Sequence, residues 1–140
     1  MTLRCLLVFV ICAAPSIAAP VPKELKHRPD SQRMQGVWMS HNPDGSPMGR
    51  WYFTGEKLFA GGSNTTDQKG YEYAITLRPG SEQTEFDLAT AGSMAFMGIY
   101  KFAGEELHVA YRSGADRAKS FETGSGGHHH ILRRLPEGKK

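Results

Sequence analysis

The stretch that decides the fold is Met94–Arg112, which reads MAFMGIYKFAGEELHVAYR. Before Gly104, aromatic residues and a glycine occupy every second position, and after it Leu107, Val109 and Tyr111 continue the alternation. A period of two matches an extended strand, whereas a helix would scatter these three side chains around its surface. The stretch therefore predicts a β-hairpin with its turn around Gly104.

Working outward, the same alternation recurs at hairpin spacing along the chain. Besides the two strands of the hairpin, the predicted strands are Gly36–His41, Arg50–Thr54, Leu58–Ala60, Tyr71–Leu77, Thr84–Ala89, a short strand around Phe121 and His128–Leu135, with a helical turn at 31–35 before the first. About eight or nine short strands at this spacing are typical of an all-β sandwich or barrel. Because no long helix is available to cover an open sheet, an antiparallel up-and-down barrel of about eight strands is favoured.

Two expectations about residue placement follow from this fold. Closure of the barrel requires Gly36–His41 to pair with the last strand or to lie beside it. Within Tyr71–Leu77, the alternation places Tyr73 and Ile75 in the core and leaves Glu72 and Thr76 in solvent.

The N-terminal residues have the features of a secretory leader. Arg4 precedes the apolar run at 6–14, and small residues follow at Ser16 and Ala18. We expect a signal peptide over 1–19 and a secreted, periplasmic or cell-envelope location. The alternative, an uncleaved anchor, is disfavoured because the run is shorter than the roughly 20 apolar residues of a membrane span. No stable membrane insertion is expected after leader removal.

The remaining chain divides into a polar, proline-containing linker over 20–33, a barrel domain over 34–136 and a basic tail over 137–140. Both cysteines, Cys5 and Cys12, lie in the leader, so a disulfide-free core is expected in the mature domain. The 17 basic and 14 acidic residues give a net charge of +3. Since the basic residues are scattered rather than interleaved with aromatics, no nucleic-acid partner is expected.

The histidines are the candidates for site chemistry. On a strand, His128 and His130 share one face and His129 takes the other. The first two could hold zinc, copper or nickel if His108 supplied a third ligand. The ligand set is incomplete, and a solvated loop end is the other interpretation, so no cofactor is predicted. With no G-x-S-x-G motif and no cysteine outside the leader, no catalytic residue is assigned and the chain is predicted not to be an enzyme.

Several short segments form an ordered pattern along the chain. They are Met34–Trp38 (MQGVW), Gly98–Lys101 (GIYK), Gly104–Leu107 (GEEL), Arg117 with Phe121, and Leu132–Arg134 (LRR). The pattern resembles a family of secreted lipocalin-like domains found mostly in planctomycete bacteria and not functionally characterised. It covers about residues 34–135. Two features depart from it: Ala118 stands where the family usually has proline, and the triple histidine is local to this chain.

The resemblance implies a fold but no activity. Gly36-Val37-Trp38 is similar to the opening signature of lipocalins, in which the tryptophan closes one barrel end beneath an arginine of the last strand. The matching arginine would be Arg134. The alternative is that Trp38 is an ordinary core aromatic and Arg134 a surface residue.

Two functional classes remain open. In the first, a small apolar or amphipathic ligand binds inside the barrel, with a largely aromatic lining. The candidate lining residues are Tyr52, Tyr71, Tyr73, Phe96, Tyr100 and Tyr111. In the second, the barrel is filled and the domain serves the cell envelope as a structural or protein-interaction unit. A cavity of a few hundred cubic ångströms favours the first class.

Overall fold

The computed structural model describes residues 28–61, 70–80, 83–114, 116–122 and 126–136. The predicted signal peptide and basic tail lie outside these residues. The described elements are α1 (Asp30–Met34), β1 (Gly36–His41), β2 (Pro47–Thr54), β3 (Lys57–Ala60), β4 (Tyr71–Arg78), β5 (Thr84–Thr90), β6 (Ser93–Ala103), β7 (Glu106–Ser113) and β8 (Gly127–Arg134). Among them, no helix is long and apolar enough to span a membrane.

The described strands form a closed antiparallel barrel in chain order. β1 pairs with β8 in a register that places Trp38 opposite Arg134 and Ser40 opposite Leu132. Closure gives the backbone groups of both end strands a partner, so no open edge remains between them. The predicted eight-stranded barrel and the pairing of its first and last strands are confirmed.

Alternation along the strands builds one continuous core. In β4, Tyr73, Ile75 and Leu77 pack against the core while Glu72 and Thr76 are exposed, as predicted. The most deeply buried large side chains of the barrel core are those of Trp38, Leu58, Phe86, Leu107 and Leu132, and Ile99 is as deeply buried in a small outer cluster. Each buried aliphatic or aromatic side chain of this size contributes roughly 1.5–3 kcal/mol by removal from water.

At the barrel end beside α1, the G-x-W segment contacts the last strand and the helix. The Arg134 guanidinium lies 4.3 Å from the centre of the Trp38 ring. Trp38 Nε1 donates to the carbonyl of Met34 at 2.7 Å, and Arg134 donates to the carbonyls of Arg33 and Gln35. Arg134 therefore lies across the Trp38 ring, which is the contact expected between these two residues.

Glycine is required at position 36 by the same arrangement. Gly36 has φ of 111°, which L side chains rarely adopt, and a Cβ atom there would lie 2.9 Å from Nη1 of Arg134. A larger residue would therefore strain the backbone and displace the arginine that covers Trp38.

The predicted short strand around Phe121 is wrong. Described residues 116–122 have no strand structure and instead lie across the outer face of the barrel. Arg117 fastens this segment, donating to the carbonyls of Phe86 and Gly98 at 3.0 and 2.8 Å and to Asp87 Oδ1 at 2.6 Å. Phe121 reads as a strand residue because it is apolar, but its partners are a small outer cluster rather than the barrel core.

Candidate functional site

A cavity of about 290 Å³ opens between α1 and the part of the barrel formed by β2 and β4. Its apolar lining consists of Met34 from α1 and the inward-facing Phe53, Ile75 and Leu77. Ile75 and Leu77 are only partly buried, so part of their apolar surface faces this cavity. We refer to this space, with its full lining of nine residues, as the α1 cleft.

The rim of the α1 cleft is polar and is held in place by one side chain. Ser31, Gln35, Gly55, Glu56 and Thr76 complete the lining. The Gln35 amide accepts from the Gly55 N–H at 2.8 Å and donates to the carbonyls of Ser31 at 2.7 Å and Gly55 at 3.2 Å. This double attachment ties the end of α1 to the β2–β3 turn, so the rim exists before any ligand arrives.

The α1 cleft exists because α1 covers only one side of the barrel end. Tyr100 Oη donates to Asp30 Oδ2 at 3.0 Å, and the Arg33 guanidinium lies 3.7 Å from the centre of the Phe102 ring. Both contacts draw α1 towards β6. Burial of the Tyr100 hydroxyl, and next the nearby Asp30 carboxylate, raise the pKa of Tyr100 above its usual value. The β2–β4 side of the barrel end is left less covered.

None of the six predicted lining residues lines the α1 cleft. Three of them gather at the other end of the barrel: the Phe96 ring centre lies 5.9 Å from that of Tyr73 and 5.2 Å from that of Tyr111. Trp51 joins them, with its ring 6.1 Å from Tyr111. We call these four residues the aromatic cluster. Burial raises the pKa of Tyr111 to about 12, which keeps its hydroxyl neutral.

The other three predicted lining residues require correction. Tyr52 lies on the outer face, 44 % exposed, because it alternates with the buried Trp51 and Phe53. Tyr71 shares the inward register of β4 but sits at its first position and is 77 % exposed. Tyr100 is inside the barrel, where its hydroxyl is bonded to α1 rather than presented to a cavity.

The histidines separate onto two faces, as the alternation predicts. His128 and His130 stack with ring centres 6.3 Å apart, while His129 lies against His108, 5.7 Å between centres. His129 also contacts Phe121 on the outer face. His108 is therefore on the wrong side of the sheet to serve as a third ligand for His128 and His130. Among the described residues, no group of three suitable side chains could hold a metal ion.

His130 is a buried imidazole inside the barrel. It is 6 % exposed, and its Nε2 lies 3.0 Å from Tyr111 Oη. Its Nδ1 and the buried Ser40 Oγ have no hydrogen-bond partner among the described residues. Burial, and then the nearby His128 and His129, lower the pKa of His130 to about 4. The ring is therefore neutral at pH 7.

A second cavity, of about 400 Å³, lies outside the barrel beneath the segment that Arg117 fastens. Its lining is largely polar and includes Arg112, Asp116, Lys119 and His128. Arg117 also lines it, but that guanidinium is committed to Asp87 and Glu85, at 2.6 and 3.3 Å. The packing of residues 116–122 over the barrel accounts for this cavity.

No protein-family model matches the chain, and no curated protein or solved structure matches it significantly. The candidate site is therefore assigned from the geometry of this chain alone. Sequence reasoning missed the residues of the α1 cleft: it assigned Tyr52 rather than the adjacent Phe53 to the lining, and it placed Ile75 in the core without assigning it to a ligand site. What no strand pattern indicates is the position of α1, which decides where the barrel end stays open.

Proposed function

We propose that this domain is a non-catalytic binding module that takes a small apolar or amphipathic molecule into the α1 cleft. The observation that carries the proposal is the cleft itself: a cavity of about 290 Å³ with an apolar floor and a polar rim. Small-molecule sites are concave, mostly apolar and supplied with a few polar groups that orient the ligand. The volume lies at the lower end of the range for such sites, so the expected ligand is small.

The apolar floor sets the strength of binding to be expected. Burying a six-carbon chain against Phe53, Ile75 and Leu77 contributes at most about 5 kcal/mol, since each buried methylene contributes about 0.8 kcal/mol. That value corresponds to a dissociation constant of roughly 0.2 mM before the costs of association. Simple hexyl compounds are therefore expected to bind in the millimolar range.

A titration with hexanol followed by amide chemical shifts tests the proposal. The shifts should concentrate at Phe53, Ile75 and Leu77 and saturate in the millimolar range. Ile75→Trp should block the cleft and abolish saturation, whereas Ala74→Trp, on the exposed face of the same strand, should leave it intact. Circular dichroism confirms that both variants fold. Shifts spread over the whole barrel, or confined to the aromatic cluster, would refute a ligand site at the α1 cleft.

A second candidate function is a structural or protein-interaction unit of the cell envelope. It is favoured by apolar side chains on the outer face of β2 and β3. Met48 and Tyr52 are 45 % and 44 % exposed, and the Tyr52 ring stacks on Phe59 at 6.2 Å. Tyr52→Ser should then impair retention of the domain in an envelope fraction without changing hexanol binding. Unchanged retention would exclude this surface from such a role.

The proposal includes export, on the strength of the leader pattern at 1–19 and the resemblance to secreted lipocalin-like domains. Both rest on sequence. Edman sequencing of the protein recovered from an exporting host should begin close to Ala19. A protein recovered with Met1 intact would contradict leader removal.

A further inference from the structure

Among the described residues, a single ionisable side chain lines the α1 cleft. Of the nine lining residues, Glu56 alone carries a charge, and it stands at the rim in the β2–β3 turn. The four apolar residues form the floor beneath it. A ligand whose chain enters the floor therefore leaves its head group beside a carboxylate.

The Glu56 carboxylate has no ion-pair or hydrogen-bond partner among the described residues. Its neighbour Lys57 is held on the outer face by Glu72, with 2.6 Å between Nζ and Oε1. The nearest cation of α1, Arg33, is occupied by Asp30 and the Phe102 ring. The negative charge at the rim is therefore not neutralised by either neighbour.

The other polar side chains of the rim, Ser31, Gln35 and Thr76, carry no positive charge that could pair with an anionic head. Both polar atoms of the Gln35 amide are bonded to the backbone of Ser31 and Gly55. Among its lining residues, the rim thus presents the negatively charged Glu56 carboxylate and no cationic donor. This arrangement disfavours a carboxylate or phosphate head and favours an ammonium.

We propose that the α1 cleft selects small apolar molecules with a cationic head, such as primary or quaternary alkylamines. This inference rests on the proposed function and specifies its ligand class. The Glu56 carboxylate faces the ammonium at the rim while the alkyl chain lies on Phe53, Ile75 and Leu77. Because the ion pair between Glu56 and the ammonium is exposed to solvent, its contribution to affinity is modest. We expect a three- to fivefold preference over a neutral head, which is about the strength of a surface ion pair.

The test compares three ligands with one tail and different heads: hexylamine, hexanol and hexanoate. At low ionic strength the expected order of affinity is amine, alcohol, carboxylate, with the amine about three- to fivefold tighter than the alcohol. Raising the ionic strength from about 0.01 to about 0.15 M should shrink this ratio, since the screening length falls from about 30 to about 8 Å.

A matched pair of variants assigns the preference to Glu56. Glu56→Gln should bring the ratio of amine to alcohol affinity close to one. Glu105→Gln should leave it unchanged, since Glu105 follows Gly104 in the β6–β7 turn as Glu56 follows Gly55, but lies outside the cleft. Equal affinities of the unmodified domain for amine and alcohol would overturn the cationic preference alone. Failure of all three ligands to bind would overturn the proposed function with it.

Discussion

Acidification should destabilise this barrel through His130. The imidazole is buried between Trp51 and Tyr111, with ring centres 5.8 and 5.5 Å away, and its pKa is lowered to about 4. Tyr111 on β7 and His128 on β8 are the titratable groups that face it, and neither supplies a negative charge at pH 7. A proton on His130 therefore has no counter-charge from these two groups inside the barrel.

The magnitude follows from the difference between the folded and unfolded proton affinities. The unfolded chain binds the proton at the ordinary pKa of 6.5, whereas the folded chain does so only at about 4. The contribution of neutral His130 to stability is therefore fully present above pH 6.5 and is lost as the pH falls towards 4. Between pH 7 and pH 4.5 the loss amounts to about 2 kcal/mol.

Urea unfolding at these two pH values measures the effect. His130→Leu should lose about 2 kcal/mol less between pH 7 and pH 4.5 than the unmodified domain does. His41→Leu serves as the control, because His41 is a partly buried histidine that is not among the groups lowering the pKa of His130. Nitrogen chemical shifts of the His130 ring report its protonation directly. A His130→Leu variant that keeps the full pH dependence would refute the reasoning.

Three further predictions concern the architecture. Ile75→Ala should lower the free energy of unfolding in thermal melts by about 2 kcal/mol, near the low end for core truncations because the side chain is partly exposed. Thr76→Ala should cost little, and equal losses from the two variants would contradict the β4 register. Arg117→Met should cost about 3 kcal/mol in urea titrations, since the buried Asp87 carboxylate loses its nearest cation but keeps Arg78 at 2.9 Å. A near-neutral effect would show that residues 116–122 are dispensable for stability. Truncation after Gly127 should abolish the cooperative thermal transition followed by circular dichroism, because β1 loses its partner strand β8. A folded, monomeric truncation with near-native melting would exclude barrel closure as the source of stability.

The strands could be predicted from the sequence because alternation is a local property. β1 was expected at Gly36–His41 and spans those residues, and Tyr73 and Ile75 face the core as their period requires. Closure could be predicted as well, since an uncovered meander of this length has two edges to satisfy. The contact between Trp38 and Arg134 could be predicted because barrel closure brings the first and last strands together.

The prediction of the lining residues relied on aromatic content, which does not show whether a residue faces the core. An aromatic residue in a strand can face the core, as Tyr73 does, or the solvent, as Tyr52 does, and only the register separates the two. Phe121 was read as part of a strand for the same reason. Its position is instead set by Arg117, a contact between segments about thirty residues apart in the chain that no local pattern contains.

The α1 cleft depends on the position of a five-residue helix against the barrel end. The alternation along the strands does not determine that position, so the sequence pattern could not predict the cleft. Asp30 and Arg33 hold α1 over Tyr100 and Phe102, so the barrel end is sealed on the β6 side and stays accessible on the β4 side. A helix placed over Ile75 instead would cover the apolar floor of the cleft. The proposed ligand site therefore depends on a few side-chain contacts of α1, which leave the barrel fold itself unchanged.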